Sequence, residues 1–165
     1  MSIRVIVKVT GGLALLLAAV VAWSGLPAQA SIQAPIVGAW YYDAVGAPFR
    51  PHTMVIDDSL TVVSSNPDRG EANNSASSGM GACAPGGGGT WRCQFLEVNA
   101  DPVTHQHTSN LIVVFTMTMS GQNAFTAPAQ VFLYAPGGTL IENLGTATLY
   151  GQRIQVDGPA PVAHP

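Results

Sequence analysis

The sequence predicts an all-β protein, a single eight-stranded antiparallel up-and-down barrel that follows an N-terminal signal segment. Three observations support this fold class. Apolar and polar residues alternate with period two, turns rich in glycine and proline separate the alternating segments, and no convincing amphipathic helix follows residue 30. An open sheet of eight sequential strands would leave long unpaired edges, which closure into a barrel removes. A two-sheet sandwich is the alternative, although such folds more often have shorter strands and crossing connections.

The strands are predicted from short apolar segments in the first half of the chain and longer ones in the second. The third long segment contains Gly145, which predicts a bulge or bend within a strand. The polar segment 65–78 is predicted to be a surface loop. The eight predicted strands cover residues 36–42, 52–57, 60–64, 77–83, 90–99, 111–120, 125–133 and 140–150.

Both termini are predicted to lie outside the barrel domain, which we place at residues 31–156. Residues 1–30 combine a basic start, an apolar run and the exit Ala28-Gln29-Ala30, which predicts a secretory signal peptide and a secreted or periplasmic product. An uncleaved membrane anchor is the alternative, because the apolar run is nearly long enough to span a bilayer. Glycines within the run and Pro27 after it favour cleavage, which would leave no stable membrane span. Residues 157–165, the C-terminal tail, contain three prolines and are predicted to be flexible.

Charge and motifs narrow the possible functions. After residue 30 the chain has four arginines, no lysine and nine carboxylates, a formal net charge of −5. Nucleic-acid binders need a basic surface to replace phosphate counterions, so this function class is excluded. The sequence contains no hydrolase elbow, zinc-protease motif or phosphate-binding loop, and we expect no cofactor.

The two cysteines, Cys83 and Cys93, are predicted to form a disulfide. They flank the glycine run 86–89, which suits a turn between two paired strands, and an exported chain meets oxidising conditions. A metal or redox pair is the weaker interpretation, because the spacing is not C-x-x-C and no other thiol is present.

Gly38-x-Trp40 near the start of the first strand, with Arg153 just after the last one, resembles the calycin superfamily, which includes the lipocalins. The resemblance implies that Trp40 closes one end of the barrel and that Arg153 lies over its ring, a contact that contributes about 0.5–2 kcal/mol. Residues 95–101, 137–140 and 151–154 also resemble a group of small exported bacterial proteins without a settled function.

Glu97 is the main candidate for catalysis. Glu97 lies at an alternate position of the same strand as Cys93 and Phe95, so the three side chains share one face of the sheet (they have the same parity). If this face points inward, Glu97 points inward too. Burial would then raise its pKa and suit general acid–base chemistry. The sequence favours the other interpretation, in which Glu97 lies hydrated or paired at the barrel rim. Tyr150 is a weak candidate for a helper.

Other candidate site residues are apolar or ligate metals. The alternation predicts that an interior ligand would contact Phe115, Met117, Val131 and Leu133. His105 and His107 are weak metal-ligand candidates because alternate strand residues share a face, although a position in or beside a turn is the favoured interpretation.

Three functions remain open. The leading hypothesis is a module that binds a small apolar ligand inside the barrel. The second is a small-barrel isomerase or cyclase resembling allene oxide cyclases, with Glu97 as its acid. The third is a structural or cell-surface interaction protein whose barrel is filled by its own side chains.

Overall fold

The structure is a computed structural model that describes residues 33–47, 50–65 and 74–164. The predicted signal peptide and most of the predicted loop 65–78 lie outside the described residues. Within them the chain forms nine strands and one short 3₁₀ turn at Gly87–Gly89. The strands are β1 (Gly38–Val45), β2 (Pro51–Ile56), β3 (Thr61–Ser65), β4 (Ser75–Ala76), β5 (Gly79–Pro85), β6 (Thr90–Ala100), β7 (His107–Met119), β8 (Ala124–Tyr134) and β9 (Leu140–Arg153).

Eight of these strands close into one antiparallel barrel. Apart from β4, each pairs with its neighbours in chain order, and β1 pairs with β9 to complete the circle. The predicted eight-stranded up-and-down barrel is confirmed, and the sandwich alternative is wrong. The two-residue strand β4, which the sequence did not predict, pairs with the end of β6 outside the ring.

Alternate side chains of the eight barrel strands point into the interior. On β7, for example, Leu111, Val113, Phe115 and Met117 are buried while the residues between them are only partly so. This alternation arises because successive side chains of a strand point to opposite faces. Each large apolar side chain buried in this way contributes about 1.5–3 kcal/mol.

The predicted bulge at Gly145 is present. Val131 pairs with Gly145, but the next residue, Phe132, pairs with Asn143, so Leu144 is an extra residue on β9. Gly145 has a φ of +100°, a conformation that glycine adopts readily. The bulge changes which β9 side chains point inward on either side of it.

The predicted disulfide is confirmed. Cys83 on β5 and Cys93 on β6 are direct cross-strand partners, bonded at 2.05 Å, and both are buried. The turn between them uses Gly88 and Gly89 in the left-handed region, as a tight glycine turn requires. Closing so short a loop contributes about 2–3 kcal/mol in the chain-entropy description.

Trp40 and Arg153 close one end of the barrel. The indole is fully buried, and its Nε1 donates a hydrogen bond to the Ile36 carbonyl at 2.8 Å. The Arg153 guanidinium lies 4.2 Å from the ring centroid, as the calycin resemblance implies. Its nitrogens also donate to the carbonyls of Pro35, Val37 and Gln122. Arg153 is the last residue of β9 rather than the residue after the strand, which corrects the predicted boundary.

The C-terminal tail contacts the outside of the barrel. The Gln152 side chain forms two hydrogen bonds with the main chain of Val162, at 3.2 and 3.3 Å. The His164 amide donates to the Asp43 carboxylate at 2.9 Å, and Arg50 donates to the His164 carbonyl at 2.7 Å. Asp43 is 1% exposed although it lies on the outer face of β1. These contacts place the described part of the tail against β1 and β9, and the flexibility of residues 157–165 stays a prediction.

We expect Arg153→Lys to lower the free energy of unfolding by about 1–3 kcal/mol. A lysine ammonium keeps the charge but cannot stack as a plane while donating to three separate carbonyls. Urea denaturation measures the change. Arg92→Lys is the matched control, because Arg92 is exposed on the outer face of β6, and its effect should stay within about 0.5 kcal/mol. Equal effects of the two variants would contradict the role of Arg153.

Candidate functional site

A cavity of about 300 Å³ lies inside the barrel, away from the Trp40 end. Its volume is at the lower end of the range typical of small-molecule pockets, about 300–1,000 Å³. The mouth is bordered by exposed residues at the end of β1 and at the β9 bulge, including Gly46, Leu144 and Thr146. The walls are apolar and come from β1, β7, β8 and β9, chiefly Ala44, Leu111, Val113, Ala129, Val131, Ala147 and Leu149.

Besides Thr146 at the mouth, three polar side chains interrupt this apolar lining: Tyr42 on β1, His52 on β2 and Glu97 on β6. Tyr42 and His52 are cross-strand partners whose rings stack, with centroids 5.0 Å apart and planes 11° from parallel. The register of the strands thus places an imidazole, a phenol and a carboxyl group around one cavity. From the sequence, Tyr42 is one of four strand tyrosines that could line a pocket, and nothing favours it over the others. His52 is a candidate only as a possible third metal ligand. The parity of Tyr42 with Trp40, two residues earlier, is the signal that it faces inward.

Glu97 is 1% exposed and faces the cavity together with Phe95 on the same strand. Glu97 is therefore not hydrated, and its side chain points inward, as its parity with Phe95 predicts. Glu97 does interact with its neighbours, while its Oε2 atom accepts no hydrogen bond from the described residues.

Tyr42 is held in its neutral form. Its hydroxyl forms a 2.8 Å hydrogen bond with the buried hydroxyl of Ser64. Burial raises the pKa of Tyr42 well above its usual range. The hydrogen bond with Ser64 acts in the opposite direction, and the negative charge of Glu97 raises this pKa further. The phenol therefore offers the cavity a protonated hydroxyl rather than a second anion.

The four residues predicted to contact an interior ligand are only partly at the cavity. Val131 lines it. Phe115 and Met117 are fully packed into the core, where the Phe115 ring makes an edge contact with Phe95 at 6.0 Å between centroids. Leu133 is half-buried and packs against the same core. The prediction correctly placed all four residues on inward positions but could not tell packed positions from open ones.

Tyr150, the weak candidate for a helper of Glu97, does not face the cavity. Leu149, next to Tyr150 on β9, faces the cavity, so the Tyr150 side chain points to the outside of the barrel. There its ring stacks on His164 of the tail, with centroids 3.8 Å apart. The barrel wall therefore separates Tyr150 from the carboxylate.

The two metal-ligand candidates do not form a shared strand face. His105 lies in a turn before β7, with a φ of +57°, and only His107 belongs to the strand. His107 Nε2 lies 2.9 Å from the Asn110 side-chain oxygen. In residues 33–47, 50–65 and 74–164, no group of three or more His, Cys, Asp or Glu side chains is placed to hold a metal ion.

The fold and the cavity define a small closed β-barrel with a ligand-sized interior, consistent with a calycin-like fold. The chain matches no protein-family model, no curated protein and no solved structure. The resemblance to a group of small exported bacterial proteins therefore stays a hypothesis. No helix in the described part of the chain has the length and apolar character needed to cross a membrane.

We expect the stability of the protein to fall as the pH rises above about 10. The unfolded chain ionises its tyrosines near that pH, whereas the folded state keeps Tyr42 protonated because its pKa is raised. The unfolded state then binds fewer protons, which costs up to about 1.4 kcal/mol per pH unit for this one group. Urea denaturation near pH 9 and pH 11 measures the slope, and Tyr42→Phe should make it shallower. Identical slopes in both proteins would contradict the assignment.

Proposed function

We propose that this protein binds a small apolar molecule in the interior of its barrel. The observation that carries the proposal is the cavity of about 300 Å³, lined by aliphatic side chains and open at one end. The volume suits one small ligand, and the apolar walls favour transfer of an apolar group out of water. The same cavity weighs against a barrel filled throughout by its own side chains.

We further propose that binding takes place outside the cytoplasm, in a periplasm or in the extracellular medium. The Cys83–Cys93 disulfide supports this location, because such bonds persist mainly in oxidising compartments. The basic and apolar character of residues 1–30 supports export through a cleaved signal peptide.

We expect the wild-type protein to bind octanol, measured by isothermal titration calorimetry, and Ala129→Leu to weaken this binding about tenfold or more. Ala129 is buried and lines the cavity, so the larger side chain occupies space that the ligand needs. Ala82→Leu is the matched control, because Ala82 is exposed on the outside of β5. Binding that is absent from the wild type, or equal in the two variants, would contradict the proposal.

A second candidate function is an isomerase that moves a proton within an apolar substrate. The observation that favours it is the buried carboxyl group of Glu97, which faces the same cavity as Tyr42 and His52. Such a carboxylate can remove a proton beside a carbonyl group and return it to another carbon. Tyr42, rather than Tyr150, is then the neighbouring hydroxyl donor.

For this candidate we expect slow conversion of a short β,γ-unsaturated ketone into its conjugated isomer, followed by ultraviolet absorbance. Glu97→Gln should reduce the rate about a hundredfold or more, because the amide cannot accept the proton. Tyr150→Phe serves as the control, since this side chain lies outside the barrel. A rate unchanged by Glu97→Gln would eliminate Glu97 as the base.

A further inference from the structure

We infer that the C-terminal tail is a latch on the mouth of the cavity. Docked on the outer face of the β1–β9 pair, which we call the seam, the tail holds in place the residues that follow β1 and border the mouth. Its release would let the ligand enter and leave faster. The ligand is that of the proposed function, on which this inference rests.

The seam binds the main chain of the tail. The Gln152 side chain donates a hydrogen bond to the Val162 carbonyl at 3.2 Å and accepts one from the Val162 amide at 3.3 Å. Two residues further along the tail, the His164 amide donates to the Asp43 carboxylate and the His164 carbonyl accepts from Arg50. These contacts alternate along the tail, and all four use its main-chain groups.

The tail follows the seam toward the open end of the barrel. On β9 it passes from Gln152 to Tyr150, whose ring stacks on the His164 imidazole with centroids 3.8 Å apart. Tyr150 is the register partner of Asp43. β1 ends two residues after Asp43, and Gly46 then borders the mouth. The tail therefore docks next to the segment that forms one side of the opening.

Asp43 connects the tail to that segment. Its carboxylate is buried, and it accepts hydrogen bonds from Arg50 at 2.8 and 3.1 Å and from the His164 amide at 2.9 Å. The Arg50 carbonyl accepts from the Ala44 amide at 2.7 Å, and the Ala44 carbonyl accepts from the Ala47 amide at 3.0 Å. Ala44 and Ala47 both line the cavity. A continuous set of hydrogen bonds thus joins the tail to the cavity mouth.

Undocking of the tail would weaken this connection. Asp43 would lose the His164 amide as a donor, and its ion pair with Arg50 would be exposed to water, where such pairs contribute little to stability. The tail itself is held by a few contacts near the surface, so the docked state is in equilibrium with an undocked one. The minor state of such an equilibrium is typically populated at about 0.1–10%.

The first test uses the protein without ligand. Gln152→Ala removes both hydrogen bonds to Val162, and Gln152 does not line the cavity. We expect the substitution to raise the population of the undocked state about fivefold or more. NMR relaxation dispersion should then show one shared exchange rate at the amides of Val162 and Ala47. Gln94→Ala is the matched control, because Gln94 is exposed on the outside of β6, and it should match the wild type.

The contrary results are distinct. Undocking of the tail in Gln152→Ala, seen at Val162 as dispersion or as a shifted resonance, while Ala47 stays unchanged, would overturn the inference. A tail that is unaffected by the substitution would overturn it as well.

The second test separates the latch from the proposed function by measuring the dissociation rate of octanol from NMR line shapes. We expect this rate to rise about fivefold or more in Gln152→Ala and to stay at the wild-type value in Gln94→Ala. Equal rates in all three proteins would overturn the latch and leave the proposed function standing. Failure of octanol to bind the wild type would overturn the proposed function, whereas the dispersion at Val162 and Ala47 would still decide whether the tail holds the mouth.

Discussion

The pairing of the first strand with the last is the constraint on which the rest of the structure depends. It turns an eight-stranded sheet with two edges into a barrel with none, and it directs every second side chain toward one axis. Trp40 and Arg153 are register partners in this pair, so the stacked indole and guanidinium lie directly on the closure. Arg153 also binds the carbonyls of Pro35 and Val37, which fixes the segment that leads into the barrel.

Closure also explains why one end of the barrel is packed and the other is open. Along β1 the inward side chains shrink from Trp40 through Tyr42 to Ala44, and along β8 they change from Phe125 to the small Ala129. The aromatic rings meet at the closed end, with Trp40 and Phe125 5.2 Å apart in an edge contact. The alanines leave space at the other end. The cavity is thus a consequence of side-chain size at inward positions of the sheet, and the β9 bulge lies at its mouth.

The alternation of apolar and polar residues was sufficient to predict the eight barrel strands and the face of β6 on which Glu97 lies. The spacing of the two cysteines was sufficient to predict the disulfide. These features depend on residues that are close in sequence or lie on one strand. Local pattern was not sufficient for the site. Tyr42 and Glu97 lie on strands far apart in the chain, and only the registers around the whole barrel bring them to one cavity. Tyr150 shows a related limit. The apolar residues of β9 do not single out one face, because they occur at both odd and even positions. Its inward side is set by pairing with β1 and β8 and by the bulge at Gly145.

The strand that carries Glu97 is paired along both edges and is also held by the disulfide. β6 pairs with β5, β7 and the short β4, and the disulfide at Cys93 ties it to β5 on the same inward face. Burying a carboxylate costs free energy, and a strand held on both sides can maintain that position where a loop could not.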